Sequence, residues 1–292
     1  MRAAALALVV AAVAAVAAVG AVGAPVAAST AECDALLRAV QAEAARVEAI
    51  PGGCRFRDVA SAALALRADR VEATGDLSAL PARLPSDLSL RIDGAGASVA
   101  GALAPGHAWM MERMAWPGYA LALDMRREGG RLMVERATLA TERAGSVAVT
   151  ATLSGIAGDV LPSGAAALAL RLETATLDVE TAGLFEALAL PVLVPVLLDV
   201  DAPAPPQVAA LRAEAHATLA AMVAAEPALA GSVAALRALV AEMPHPRGRL
   251  SVTLEGGGLG AADALALSSG DVPTIARRLA AAGLSATWTP AR

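Results

Sequence analysis

Cys33 and Cys54 are the two cysteines of the chain, and three histidines, His107, His216 and His245, complete its soft ligands. In an oxidising compartment the economical state of the cysteine pair is one intrachain disulfide, with two buried thiols or an intermolecular bridge as alternatives. The spacing is not Cys-x-x-Cys, so thiol exchange is not its chemistry. No histidine has a second His or a Cys at metal-ligand spacing, and no metal site is expected. Ser98 lies in Gly96-Ala97-Ser98-Val99-Ala100-Gly101, which imitates a nucleophile elbow but places its second glycine one position late. Asp199 with Asp201, and Asp87 with Asp93, are carboxylate pairs of the kind used in acid–base catalysis, yet polar strand faces produce the same spacing. Gly256-Gly257-Gly258-Leu259-Gly260 follows a strand without a lysine and reads as a flexible loop rather than a phosphate cradle. The chain has no lysine at all, which excludes Schiff-base enzymes, P-loops and Ser-Lys hydrolases. No catalytic residue and no cofactor is assigned.

A second kind of chemistry, apolar contact, is concentrated in one segment. Trp109, Met110, Met111, Met114, Trp116 and Tyr119 lie within eleven residues and include two of the three tryptophans and the one tyrosine. Methionine and tryptophan together make an adaptable apolar surface, suited to an acyl chain or a partner protein. The structural alternative is a short helix whose Trp109 and Trp116 cap one end of a sheet.

The elements that must position these residues follow from periodicity. Leu36, Leu37, Val40, Val47 and Ile50 lie near helical spacing, so a helix is expected over 35–49, ended by Pro51-Gly52-Gly53. A straight helix from Cys33 to Ile50 would be about 25 Å long, out of reach of Cys54. A disulfide therefore requires the helix to begin nearer Arg38, with 33–37 folded back. From Leu64 onward the period becomes two. Leu88, Leu90 and Ile92 alternate with polar residues up to Gly94-Ala95-Gly96; Leu121, Leu123 and Met125 lead into Gly129-Gly130 and resume at Leu132 and Val134, a hairpin. Val147, Val149, Ala151 and Leu153 form the clearest strand, followed by Leu168, Leu170 and Leu172, then Leu177 and Val179, and much later by strands at 250–254 and 284–288. Two helical stripes occupy about 206–243, and Asp271-Val272-Pro273 opens a short helix stopped by Gly283. The order predicts an α+β fold: a large antiparallel meandering sheet with helices packed on one side. The apolar run 184–198 is too short and too interrupted by proline for a membrane span and reads as a buried helical or extended segment against the sheet, with an apolar lip that touches lipid as the alternative.

The N-terminus sets the compartment. Met1-Arg2 precedes a run of Ala, Val and Leu to Val22, and Val26-Ala27-Ala28 supplies small residues before Ser29. Residues 1–28 are therefore expected to be a signal peptide, leaving 29–292 as a single β-rich periplasmic domain with a helical insertion at about 206–243. An uncleaved signal would instead anchor the chain in the inner membrane. The formal net charge of −5 offers no electrostatic footprint for nucleic acid.

The strand style of Arg131-Leu132-Met133-Val134-Glu135-Arg136-Ala137-Thr138-Leu139, followed by Gly145 to Gly155, resembles that of AsmA-like and related uncharacterised envelope proteins of proteobacteria. The likeness covers roughly residues 55–180, and the segments 248–255 and 284–287 resemble the ends of such proteins. It implies an envelope role with lipids and carries over no catalytic residue. The expectation for function is a non-enzymatic envelope protein that binds an apolar ligand or docks an envelope partner. A lipid carrier with an enclosed apolar groove and a hydrolase without a recognisable motif are the alternatives.

Overall fold

The computed structural model describes residues 29–61, 66–80, 83–97, 118–156, 158, 169–186, 197–199, 202–268 and 270–291. The chain divides into two compact units, one built from residues up to Thr141 together with 155–166, the other from Glu142–Ser154 and Ala167–Arg292. The fold class is α+β, with antiparallel strands following one another in chain order.

The first unit begins with helix α1 (Thr30–Ala39), opened by a capping box in which Ser29 Oγ accepts from Glu32 N at 3.3 Å and Glu32 Oε2 accepts from Ser29 N at 2.6 Å. Six strands follow: β1 (Ala42–Ile50), β2 (Gly53–Ser61), β3 (Leu66–Gly75), β4 (Asp87–Ala97), β5 (Tyr119–Glu128) and β6 (Arg131–Thr141). Each pairs antiparallel with the next. The helix expected over 35–49 is thus corrected: it starts and ends earlier, and 42–50 is a strand. Gln41, at φ 50°, reverses the chain, and β1 then satisfies its backbone against β2 from Ala42↔Ser61 to Ile50↔Gly53. A helix over the same residues would hold Cys33 away from Cys54, whereas the hairpin brings β2 back beneath α1.

Side chains sort by strand period. Phe56 and Val59 of β2 and Ala68 of β3 are buried with Cys33 and Leu37 of α1, while Val47, Val71 and Ile92 pack around them. Leu88, Leu123, Met125 and Leu132 continue the buried apolar side in β4, β5 and β6. The expected hairpin closes on Gly129 and Gly130, both at positive φ (57° and 77°), the pair of conformations that a two-residue hairpin turn demands and that only glycine adopts freely. The stop expected at Gly94-Ala95-Gly96 does not occur; β4 runs on to Ala97, with the pairing to β5 shifting register between Ile92 and Ala95.

The second unit holds β7 (Gly145–Ser154), β8 (Arg171–Thr181), helices α2 (Ala204–Ala225) and α3 (Ala230–Glu242), β9 (Gly248–Gly260), helices α4 (Ala261–Ser268) and α5 (Val272–Ala281), and β10 (Leu284–Pro290). Its strands pair in the order β7-β8-β9-β10. Met222 of α2, Val233 of α3 and Ala276 of α5 meet at Leu229 to form a buried helical core against Leu284. Gly256 to Gly260, expected to be a loop, lies within β9 and leads directly into α4.

Helix α3 runs beside β10 and satisfies its backbone. Ser232 Oγ donates to Leu284 O and accepts from Ala286 N, both at 3.1 Å, and at the other end Glu242 accepts from Trp288 Nε1 at 3.0 Å. An unpaired strand edge is a template for aggregation, and a helix laid along it is one remedy. Ser232→Ala strands a backbone donor and acceptor of β10, which is expected to cost about 1–3 kcal/mol. An unchanged urea midpoint for this variant would remove the role assigned to Ser232.

Candidate functional site

Cys33 of α1 and Cys54 of β2 are bonded to one another, with Cα atoms 5.6 Å apart, and both are buried. The bond ties the α-helix of the first unit to the inner side of the sheet, and a closed disulfide is characteristic of an exported protein in an oxidising compartment. Of the proposed apolar patch, Trp109, Met110, Met111, Met114 and Trp116 lie outside the described residues, as do Ser98, His107 and Asp201. Tyr119 is the first residue of β5, opposite Ala95 and half-buried, and burial pushes its phenol above the usual value. The signal peptide over 1–28 also lies outside the described residues.

The polar side of the first unit forms an ion-pair lattice. Arg55 bonds Glu72 and reaches Glu48 at 3.4 Å, and Arg70 reaches Glu72 at 2.6 Å. Asp124 is its densest point. Arg91 grips it with two nitrogens at 3.0 Å, Ser89 Oγ donates at 2.6 Å, and Arg136 donates through Nε and Nη2 at 2.7 and 2.6 Å. Ser89 and Arg136 stand directly across from Asp124 on the neighbouring strands. Burial alone would raise this carboxyl, but the bonds from Arg91, Ser89 and Arg136 outweigh it and bring it down from 3.8 to about 2. With its lone pairs committed to fixed donors, Asp124 is a structural anion and not a general base.

Two smaller polar centres lie in the second unit. Glu186 Oε1 meets Arg247 Nη1 at 2.5 Å and His245 Nδ1 at 3.0 Å. Burial opposes the ionised form of Glu186, but hydrogen bonds from backbone, Arg247 and His245 leave its carboxyl below the usual range. His216, on α2, is buried at Nδ1 without a hydrogen bond among the described residues. The other centre surrounds Asp263 at the start of α4, where a cavity of about 80 Å³ opens between Arg171, Gly258 and Arg278. Sequence reading missed this one. Its signal was the acid three residues after Gly260, where a carboxylate can reach back to the backbone N–H at the helix start.

Asp87 and Asp93 occupy one strand six residues apart, about 20 Å, and so do not share a cleft. No group of three or more His, Cys, Asp or Glu converges on a metal position among the described residues. Helix α2 is the one helix among them long and apolar enough to cross a membrane, with a mean hydropathy of 1.2; it touches α3 and α5, but of its residues Met222 alone is buried. No protein-family model matches the chain, and no curated protein matches it.

Two measurements follow from this geometry. Cys33→Ser or Cys54→Ser opens a loop with a sequence separation of 21, and loop-closure entropy sets the loss near 3 kcal/mol; the urea midpoint of the oxidised protein should fall accordingly, and a midpoint equal to that of wild type would contradict it. Asp124 titrates lower folded than unfolded, so its contribution of about 2 kcal/mol is present above pH 4 and disappears as pH falls toward 2. Asp124→Asn should flatten that part of the stability–pH curve.

Proposed function

We propose that this protein is a non-enzymatic periplasmic envelope protein, exported by residues 1–28, that holds an apolar ligand on one side of its strands. The observation supporting this is the half-buried apolar side that the described strands of the second unit share. In β7 the residues Val147, Val149, Ala151 and Leu153, in β8 Leu172, Leu177 and Val179, and in β9 Leu250, Val252 and Leu254 share one side through the strand register, and all are half-buried. Their counterparts in the first unit include many residues that are fully buried. The helices described in the second unit pack chiefly on β10 and the end of β9.

Apolar surface that stays in partial contact with water across three adjacent strands forgoes about 25 cal/mol for each Å² left uncovered. An apolar ligand laid on such a half-buried side would complete its burial. The disulfide agrees with the periplasm, because Cys33 and Cys54 need an oxidising compartment to close. The lattice of fixed ion pairs in the first unit supports a non-enzymatic reading, since a carboxylate saturated with donors has no free lone pair for proton transfer.

The full-length chain should appear in the periplasmic fraction, and native mass spectrometry of gently purified protein should show a bound apolar molecule. Delipidated protein should then bind an apolar fluorescent probe, and Leu177→Gln, with unchanged far-UV circular dichroism, should weaken that binding about tenfold, or 1.4 kcal/mol. Cytosolic retention, or a delipidated protein that binds no such probe, would defeat the proposal.

A further inference from the structure

We propose that the cavity beside the glycine-rich end of β9 is a binding site for a phosphate-sized oxyanion, held by Arg171 and Arg278. The site is independent of the apolar side of the sheet. It arises from a mismatch in strand pairing: Thr174 faces Glu255 and Leu172 faces Leu259, so one residue of β8 stands against three of β9, Gly256 to Gly258. The extra residues bow β9 outward and open space beneath α5. Gly258 sits at φ 57°, and a Cβ there would lie 3.3 Å from Arg171 Nε, so glycine lets the arginine lie against the bowed backbone.

Charge and hydrogen bonding specify the occupant. Two guanidinium groups and one carboxylate line the cavity, an excess of one positive charge. The carboxylate, Asp263, is already committed: Oδ2 accepts from Gly260 N at 2.9 Å, and Oδ1 forms an ion pair with Arg278 Nη1 at 3.1 Å. It therefore orients Arg278 while leaving other donors of that guanidinium unused, since arginine carries five. The Arg171 side chain is exposed and enters no hydrogen bond or ion pair among the described residues, which leaves its donors open to a ligand.

The last turn of α5 also lines the space, and bare carbonyls at a helix end would repel an anion. Three of them are occupied. Arg278 O accepts from Ala282 N at 3.0 Å, Ala280 O from Gly283 N at 2.9 Å, and Ala282 O from Glu255 N at 3.1 Å. What remains facing the cavity is donor-rich, and its volume of about 80 Å³ exceeds several-fold the minimum of about 15 Å³ that a single water needs. Guanidinium forks match the geometry of a phosphate, and a cation would meet net repulsion.

The same chemistry is offered by free phosphate and by a lipid headgroup, and the test separates them. Inorganic phosphate is titrated calorimetrically into the full chain in chloride buffer, and vesicles of phosphatidylcholine with or without phosphatidic acid are floated with it. Saturable phosphate binding that Arg171→Gln weakens by at least about tenfold is expected. Flotation only with phosphatidic acid, and lost in the same variant, assigns a headgroup; phosphate binding without flotation assigns the free ion. Arg278→Gln also strips buried Asp263 of its cation and should lower stability, so Arg171→Gln, which removes no ion pair among the described residues, is decisive. If neither probe binds, or if Arg171→Gln binds both as wild type does, the site does not exist.

Discussion

Antiparallel register is the constraint on which the other features rest. Side chains alternate across a strand, so a slip of one residue would turn every apolar row outward and every charged row inward. In the first unit Phe56 opposes Val71, Val71 opposes Ile92, and Ile92 opposes Leu121, which makes one apolar side continuous through four strands. The opposite side acquires Arg55 against Glu72 and Ser89 against Asp124 by the same pairing. Neither the buried core nor the ion-pair lattice can exist without the other, because both are products of one alignment. Glycine turns and the bond between Cys33 and Cys54 hold that alignment at its ends.

The polar groups are settled by cross-strand neighbours. Asp124 is mostly withdrawn from solvent, and a lone carboxylate so placed would be costly. Arg91 and Arg136, on the strands to either side, offset the cost with charge-assisted bonds. At β10 the same problem arises in the backbone, and there the hydroxyl of Ser232 serves both a carbonyl and an amide. These solutions are rigid. They commit Asp124 and Ser232 to structure, which directs attention to what the surfaces can hold.

Those surfaces differ in kind. The strands of the second unit keep a wide apolar side in partial contact with water, while the bowed end of β9 gathers two arginines around a small space. The first offers area and the second offers charge. The relation between the charged site and the register is direct: the mismatch in pairing that makes the cavity is confined to the end of β8 and β9, leaving Ala175↔Leu254 and the pairs beyond it in step.

Most strands were legible from residue order because their alternation is strong. The hairpin at Gly129-Gly130, the strand 145–154 and the helix capped by Asp271 are decided by local chemistry: a turn that needs two positive φ angles, a period of two, and a side chain accepting from Thr274 N. The cysteine pair was legible too, as a possibility, since composition leaves each only the other. What local pattern could not settle was any segment with two acceptable states. Residues 42–50 carry apolar side chains compatible with either period, and only the partner strand β2 and the disulfide beneath it select the extended form. Gly256 to Gly260 has no preference of its own, so its place in β9 comes from the long-range pairing with β8. The charged cavity was hidden for the same reason: Arg171, Asp263 and Arg278 are remote in sequence, and the nearness of their side chains is a property of packing, which no local propensity encodes.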